Sequence, residues 1–272
     1  MSNEKPIGIF DSGFGGLTVA RAVMDLLPSE DVVYFGDTAR YPYGPKPLDE
    51  VREFAFQIAE YLIDEHDVKL LVVACNTAAA AALDELSTEV PVPIIGVIAP
   101  GTQAAIDVSE IGQIAVIGTV GTINSGAYER AFSDLSKGEI QPLTLACPGF
   151  VEFVEKGESS GEQLQVLAER LLAPIISSNV DTLLLGCTHY PYLARTIGQV
   201  VGSNVVLVSS ADETAFEVSR QLNEIDLLAK KEKEGKRVFI SSGDVSWFAE
   251  VGQRLFGPEL ASAQAHEWNP ST

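Results

Sequence analysis

The stretch IGIFDSGFGGLTVARAVMDLL, residues 7–27, joins an apolar run, a glycine-rich turn and a helical pattern. Ile7–Phe10 has the composition of a strand buried on both faces of a sheet. In residues 17–27 the apolar positions recur at helical spacing. A glycine-rich turn between a strand and a helix is typical of a phosphate-binding loop, but Asp11 would repel a phosphate. The stretch therefore predicts a parallel α/β unit with an acidic loop after its first strand.

The same alternation of strand and helix continues along the chain. Helical patterns such as 51–66 and 162–177 separate most of the apolar runs. The predicted strands are Ile7–Phe10, Val32–Phe35, Leu70–Ala74, Pro93–Val97, Ile114–Gly118, Leu143–Ala146, Thr182–Gly186, Val205–Val208 and Arg237–Ile240. They predict an α/β fold of parallel sheets with helices on both faces. Ligands of such sheets bind beyond the carboxyl ends of the strands.

An internal repeat relates two parts of the chain. IGIFDSGFGG is echoed by IAVIGTVGT, and LLVVACNTAA by TLLLGCTHYP, which pairs Ser12 with Thr119 and Cys75 with Cys187. Ser12 and Cys75 are 63 residues apart, and Thr119 and Cys187 are 68 residues apart, so the spacing is similar in the two halves. Parallel α/β chains resemble one another, but two cysteines at matched strand ends favour two similar lobes. Facing each other across a cleft, these lobes would place the two cysteines on opposite walls.

The domain boundaries follow from this repeat. Pro100 and Gly101 interrupt the pattern near residues 97–102, and the second lobe would close near residues 209–210. We therefore predict a discontinuous first lobe, residues 1–98 plus 210–272, and an inserted second lobe, residues 99–209. The tail ASAQAHEWNPST, residues 261–272, is expected to lack fixed structure.

The composition of the chain excludes some classes of partner and indicates the cellular compartment. Eighteen basic against 38 acidic residues give a net charge of −20, which repels nucleic acid and anionic membranes. No segment has the roughly 18 apolar residues of a membrane span, and Met1–Phe10 holds no signal peptide. The three cysteines form no C-x-x-C pair, which indicates reduced thiols. We expect a cytoplasmic protein without nucleic-acid or membrane partners and without a metal site.

Cys75 and Cys187 each end an apolar strand and begin a polar turn that leads into a predicted helix. Backbone N–H groups at a helix N-terminus stabilise a thiolate, so we expect the pKa of each thiol to fall below about 8.5. Cys147 is expected to be an ordinary buried cysteine. Two acid–base groups on opposite faces of a carbon suit a reaction that removes a proton from one side and returns one to the other. Racemisation is such a reaction.

The sequence also resembles a known family. Four segments are similar, in order and spacing, to the signature segments of bacterial glutamate racemases: IFDSGFGGLTV (9–19), YFGDTARYPYG (34–44), VVACNTA (72–78) and LGCTHYP (185–191). The resemblance extends over nearly the whole chain. It implies two pseudo-symmetric α/β lobes with the active site between them, and a reaction without cofactor or metal. It further implies that D-glutamate supplies peptidoglycan synthesis and that the protein forms a homodimer.

The resemblance also implies catalytic roles. Cys75 would take the α-proton of D-glutamate and Cys187 that of L-glutamate, the opposite thiol returning a proton. Asp11 matches the family carboxylate near the first cysteine, and His189 matches the histidine that assists the second. Glu155 matches the acid of the segment GFVEFVE, residues 149–155. Glu152 replaces the usual proline there, which leaves open which of the two carboxylates faces the cleft.

Substrate-binding positions carry over in the same way. They are hydroxyl, amide or carboxylate side chains and one glycine: Asp11, Ser12, Tyr43, Gly44, Asn76, Thr77, Thr119, Thr122, Thr188 and His189. Hydroxyls, amides and backbone N–H groups can hold carboxylates without arginine. Asp37, an acid expected on an exposed loop, is assigned at most a supporting role.

Other functions fit the residues less well. A nucleotide-binding loop is disfavoured because the glycines at 13, 15 and 16 do not complete G-x-G-x-x-G. A solute-binding protein would share the lobes but would be exported. A pyridoxal-phosphate enzyme needs a lysine, and Lys46 does not follow a strand. Aspartate or hydantoin racemases and related isomerases or decarboxylases remain as alternatives. Relatives controlled by a cell-wall nucleotide have longer N-terminal extensions, so we expect no such control.

Overall fold

The computed structural model of the protein describes residues 3–268. Within them, the first sheet has six strands: β1 (Ile7–Asp11), β2 (Val32–Gly36), β3 (Leu70–Val73), β4 (Ile94–Gly96), β9 (Arg237–Ser241) and β10 (Gln264–Ala265). Their order is β10-β9-β2-β1-β3-β4, and all neighbours run parallel. The register pairs Asp11 with Gly36 and Phe10 with Val73, so the carboxyl ends of the central strands lie side by side.

The second sheet of the described chain has four parallel strands: β5 (Ile114–Gly118), β6 (Leu143–Ala146), β7 (Thr182–Gly186) and β8 (Val206–Ser209). Their order is β6-β5-β7-β8, which repeats the order β2-β1-β3-β4 of the first sheet. The internal repeat of the sequence therefore corresponds to a repeated topology. β1 is equivalent to β5 and β3 to β7, so Cys75 and Cys187 follow equivalent strands.

Helices connect the strands. They are α1 (Leu17–Leu26), α2 (Leu48–His66), α3 (Asn76–Glu89), α4 (Ile98–Val108), α5 (Val120–Asn124), α6 (Ala127–Leu135), α7 (Phe150–Lys156), α8 (Glu162–Ile176), α9 (Ala194–Val201), α10 (Ser210–Glu224) and α11 (Val245–Leu255). A 3-10 turn, Tyr190–Leu193, precedes α9. No helix within residues 3–268 is both long and apolar enough to cross a membrane.

Both faces of the second sheet are covered. On β5, Val116 faces the large core that it shares with the first sheet, whereas Ala115 and Ile117 face a second, smaller core. On β7, Leu184 faces the shared core, and its neighbours in the chain face the smaller one. This alternation is the two-residue period of a strand buried on both sides. The predicted α/β class is confirmed.

The nine predicted strands are all present, but two local expectations are wrong. Pro100 and Gly101 do not break the pattern, because they lie in the first turns of α4, where a proline needs no backbone donor. The division into lobes at 98/99 and 209/210 stays a prediction. The tail is ordered up to the end of the described residues: Gln264–Ala265 pairs with β9, and the Trp268 ring packs against Phe35. Residues 269–272 of the tail lie outside the described residues.

Candidate active site

A cleft with about 670 Å³ of empty space, some of it open to solvent, lies at the carboxyl ends of strands from both sheets. Most of the predicted site residues line it: Asp11, Ser12, Tyr43, Gly44, Cys75, Asn76, Thr77, Thr119, Cys187, Thr188 and His189. The two exceptions, Thr122 and Glu155, contact residues that do. The fold thus brings together side chains that are up to 178 residues apart in the chain.

Cys75 follows β3 and is the N-cap residue of α3. Its sulfur lies 3.8 Å from Ser12 Oγ, and the residue is only 6% exposed. Burial and then the negative charge of Asp11 raise the pKa of Cys75 to about 12, although the Ala78 amide and Ser12 act in the opposite direction. The expected lowering of this pKa is therefore wrong. The helix N-terminus acts as predicted, but burial and the neighbouring carboxylate outweigh it.

Cys187 follows β7 and lies beside a histidine. Its sulfur is 3.9 Å from His189 Nδ1. The predicted helix beginning directly after this turn is instead the 3-10 turn, and α9 begins only at Ala194. The sulfur thus faces an imidazole rather than the N-terminus of an α-helix.

His189 is held between a thiol and a carboxylate. Its Nε2 atom lies 3.3 Å from Glu155 Oε1, and its Nδ1 atom faces Cys187. Burial alone would lower the pKa of His189, but its contacts with Cys187 and Glu155 and the charge of Asp11 raise that pKa to about 10. The raised pKa favours the protonated imidazole at neutral pH, which places a positive charge beside the Cys187 sulfur.

The sequence left open whether Glu152 or Glu155 of α7 faces the cleft, and the structure gives the two acids different positions. Glu152 lines the cleft, whereas Glu155 reaches it through His189. The backbone oxygen of Glu155 also accepts a hydrogen bond from the Arg254 guanidinium. Glu155 is thus placed to orient and charge the imidazole, and Glu152 is placed to meet whatever fills the cleft.

Asp11 connects the two sheets. It is buried, its Oδ1 accepts a 2.7 Å hydrogen bond from the Gly13 amide, and its Oδ2 lies 3.4 Å from the Thr188 hydroxyl, which donates to it. Burial raises the pKa of Asp11, while the charge of His189 and the amides of Gly13 and Gly16 oppose that shift. A carboxylate in this position favours a cationic partner in the cleft.

Three threonine hydroxyls form a triangle at another wall. Thr77 Oγ1 lies 2.9 Å from Thr119 Oγ1 and 3.1 Å from Thr122 Oγ1, and the last two are 2.9 Å apart. The Gly121 amide donates a 2.8 Å hydrogen bond to the Gly44 carbonyl beside them. Thr77 belongs to the first half of the repeat and the other two threonines to the second, so the triangle bridges the sheets. Hydroxyls can reorient to donate to a carboxylate.

Asp37 is not the exposed loop acid that the sequence suggested. It is fully buried behind the cleft and accepts hydrogen bonds from the Tyr43 hydroxyl, from Ser242 Oγ at 2.7 Å and from Trp268 Nε1 at 2.9 Å. The Tyr43 hydroxyl is therefore directed toward Asp37. The Tyr43–Gly44 turn therefore lines the cleft with its backbone and with the ring of Tyr43.

Further lining residues were absent from the predicted site. They include Tyr41, Val120, Cys147, Pro148, Val151 and Tyr190. Cys147 is buried, as expected, and burial and the charge of Cys187 raise its pKa to about 12. It nevertheless lies on the cleft. Its position directly after β6, equivalent to the loop after β2 that carries Tyr41 and Tyr43, is the sequence signal that would have placed it there.

Comparisons with known proteins agree with this geometry. The family model described as Asp/Glu/Hydantoin racemase matches residues 17–217. A glutamate racemase of Corynebacterium diphtheriae is 47% identical over 262 residues, covering 96% of this chain and 98% of the relative. The crystal structure of glutamate racemase isoform RacE1 from Bacillus anthracis superposes with a TM-score of 0.92 at 40% identity, covering 98% of both chains.

A third relative carries a ligand. The crystal structure of glutamate racemase from Francisella tularensis in complex with D-glutamate has a TM-score of 0.90 at 32% identity, and the match covers 99% of this chain and 100% of that chain. Sequence and structure thus agree over nearly the full length, and the chain belongs to the Asp/Glu/Hydantoin racemase family.

Proposed function

We propose that the protein interconverts L- and D-glutamate by proton transfer at Cα, with Cys75 and Cys187 as the two acid–base groups. The observation that carries the proposal is that two cysteines from equivalent strands line one cleft in opposite electrostatic settings. The glutamate racemases of Corynebacterium diphtheriae and Bacillus anthracis, similar over nearly their whole length, support glutamate as the substrate.

The opposite settings prepare the two sulfurs for different tasks. With its pKa raised to about 12 by burial and Asp11, Cys75 is a thiol at neutral pH and can donate a proton. Cys187 lies beside the His189 imidazole, whose pKa is raised, and in this proposal it is the group that accepts one. A two-base reaction needs one donor and one acceptor at the start of each turnover. The protein in this state is set to take the α-proton of L-glutamate and to return a proton on the other face.

The reverse direction requires a thiolate at Cys75. Asp11 repels that charge in the empty cleft, and a substrate ammonium group beside Asp11 would cancel the repulsion. Substrate binding would therefore lower the pKa of Cys75 toward the range in which it can act as a base. This coupling makes the α-amino group part of the catalytic machinery.

Neutral donors hold the carboxylates in this proposal. Among residues 3–268, no side chain that lines the cleft belongs to lysine or arginine. The carboxylates would be bound by threonine hydroxyls and backbone N–H groups at the strand ends. Donors held rigidly in the cleft also stabilise the negative charge that develops when the α-proton leaves. The family implies that no cofactor or metal takes part, and this stays a prediction.

The experiment that tests the function is incubation of the purified protein with L-glutamate in deuterium oxide without added cofactor. We expect D-glutamate to form with deuterium at Cα. Chiral chromatography measures the D-glutamate, and mass spectrometry measures the deuterium. L-aspartate is the matched comparison, because it is one methylene shorter. Faster turnover of aspartate than of glutamate, or an absence of exchange with either, would contradict the proposal.

The biological setting is also proposed. We infer a cytoplasmic enzyme that supplies D-glutamate for peptidoglycan and acts as a homodimer, in keeping with the family. Light scattering of the purified protein across a concentration range tests the dimer. Rescue of a bacterial strain that requires external D-glutamate tests the supply of this amino acid in the cell.

The glycines of the loop that opened the sequence provide a further prediction. A Cβ atom at Gly15 would lie closer than 3.0 Å to both His189 Nδ1 and Thr188 Oγ1. Gly15→Ala should therefore displace both side chains and lower kcat/KM for glutamate by about 100-fold, as expected for a misplacement of about 1 Å. Gly198→Ala is the control, because its Cβ would meet only Leu207 Cδ1 at 3.5 Å. Equal activity of the two variants would show that the cleft tolerates the extra methyl group.

A further inference from the structure

Asn76 meets a tyrosine that belongs to the other sheet. Asn76 is the first residue of α3 and lines the cleft, and its Nδ2 atom donates a 2.7 Å hydrogen bond to the Tyr128 hydroxyl. Tyr128 lies on α6 and is fully buried. It does not line the cleft, so it would not touch a substrate there. Its hydroxyl nevertheless contacts a residue that would.

The other end of the same amide is unsatisfied. Asn76 Oδ1 is buried and has no hydrogen-bond partner among residues 3–268. Leaving a buried carbonyl oxygen without a donor is costly, so such an atom calls for a partner that arrives with the ligand. An amide oxygen only accepts hydrogen bonds, and the one donor group of glutamate at neutral pH is its ammonium group.

We propose that Tyr128 is a positioning residue that holds the Asn76 amide with its oxygen toward the α-ammonium group of the substrate. The inference rests on the proposed function, because it takes an amino acid as the ligand. Tyr128 acts by accepting from Nδ2, and this bond holds the amide in the orientation that the structure shows. Asp11 lines the same cleft, and together the two oxygens would form the ammonium site.

The proposal separates binding from chemistry. The Tyr128 hydroxyl accepts its hydrogen bond from Asn76, so its loss should affect how the ammonium group is held more than it affects proton transfer. Burial and the charge of Cys187 also raise the pKa of Tyr128, so its hydroxyl stays neutral and is no competing acid or base near pH 7. A rise in KM with little change in kcat is the expected signature.

The first experiment compares Tyr128→Phe with wild type in glutamate racemisation. We expect KM for both enantiomers to rise about tenfold and kcat to stay within about threefold, because one hydrogen bond that orients a binding group is lost. Tyr61→Phe is the control: it removes a hydroxyl that faces His66 on α2, away from the cleft, and should leave KM unchanged. A fall in kcat with constant KM would overturn the assignment.

A double-mutant cycle with Asn76→Ala tests whether Tyr128 acts through Asn76. If it does, the double variant should have the same KM as Asn76→Ala alone, within about twofold. If the double variant instead raises KM over wild type by the product of the two single-variant increases, Tyr128 acts by another route and the proposal fails. Inactive wild type would reject the proposed function itself, whereas active wild type with additive effects would reject only the role of Tyr128.

Competitive inhibition by glutarate tests the direction of the amide. Glutarate has both carboxylates of glutamate and no ammonium group, so Tyr128→Phe should leave its inhibition constant unchanged. An inhibition constant that rises as much as KM would mean that Asn76 presents its NH₂ group to a carboxylate. That result would overturn the orientation proposed here.

Discussion

Replacing either Cys75 or Cys187 with serine is expected to lower kcat for both enantiomers of glutamate by about 10²–10⁴-fold, the usual contribution of a general acid or base. A serine hydroxyl occupies nearly the same space, but it is a far weaker acid than a thiol and cannot exchange a proton with a carbanion at comparable rates. Circular dichroism measures the rate of racemisation in both directions. The unfolding curve of each variant checks that it is folded.

Cys147→Ser is the matched control for this pair. All three thiols are buried and line the same cleft, so an effect of simply losing a sulfur should appear in all three variants. Cys147 follows β6 rather than one of the two equivalent strands that carry the pair. We expect its replacement to leave kcat within about threefold of wild type. Normal turnover of the variant at 75 or 187 would refute the two-thiol mechanism.

Isotope exchange sharpens the test, because each cysteine should serve one enantiomer. In Cys75→Ser the intact Cys187 still faces L-glutamate, so deuterium from solvent should enter L-glutamate without formation of D-glutamate. In Cys187→Ser the intact Cys75 still faces D-glutamate, so deuterium should enter D-glutamate without formation of L-glutamate. Exchange into both enantiomers in either variant would mean that one base serves both faces.

The fold could be predicted because the patterns that specify its strands and helices are local in the sequence and occur twice along the chain. Each predicted strand is an apolar run followed by a helical pattern, and the echo between residues 7–79 and 114–191 indicated two units of one topology. Strand ends in parallel sheets converge, so placing Cys75 and Cys187 after equivalent strands was enough to expect them in one cleft. The errors arose where local signals were weak, as in the short strand Gln264–Ala265, which is ordered by pairing with β9.

The electrostatics of the site could not be predicted in the same way. A helix N-terminus at Cys75 is visible in the sequence, but the depth of its burial and the nearness of Asp11 are tertiary facts, and these determine the direction of the pKa shift. Tyr128 is likewise invisible as a site residue, because it lies inside an ordinary amphipathic pattern on α6. Its contact with Asn76 exists only once the two sheets are packed together.

The largest expected loss of stability lies at the opposite end of the first sheet. Lys69, just before β3, is fully buried, and its Nζ atom lies 2.6 Å from Glu30 Oε2. It also donates to the carbonyls of Asn3 at 2.8 Å and Leu227 at 2.7 Å, and Glu30 Oε1 accepts from the Ala229 amide. One buried ion pair thus joins the beginning of the chain, the turn before β2 and the segment after α10.

Lys69→Met should lower the free energy of unfolding by about 3–5 kcal/mol, because it leaves the Glu30 carboxylate buried without its partner. Urea unfolding monitored by circular dichroism measures this loss. Lys5→Met is the control, since the Lys5–Asp67 pair is exposed and should contribute at most about 1 kcal/mol. The kcat and KM of the folded Lys69 variant should be unchanged, because the pair lies at the amino ends of the strands and the cleft at their carboxyl ends.

The double variant Lys69→Met with Glu30→Gln separates two reasons for that loss. If the cost comes from the uncompensated charge, removing the carboxylate should restore a large part of the lost stability, because the desolvation penalty then disappears with it. If the cost comes from the hydrogen bonds that Lys69 donates to Asn3 and Leu227, the double variant should be no more stable than the single one. We expect restoration by more than half, since an isolated buried charge is costlier than two carbonyl oxygens that lose one donor.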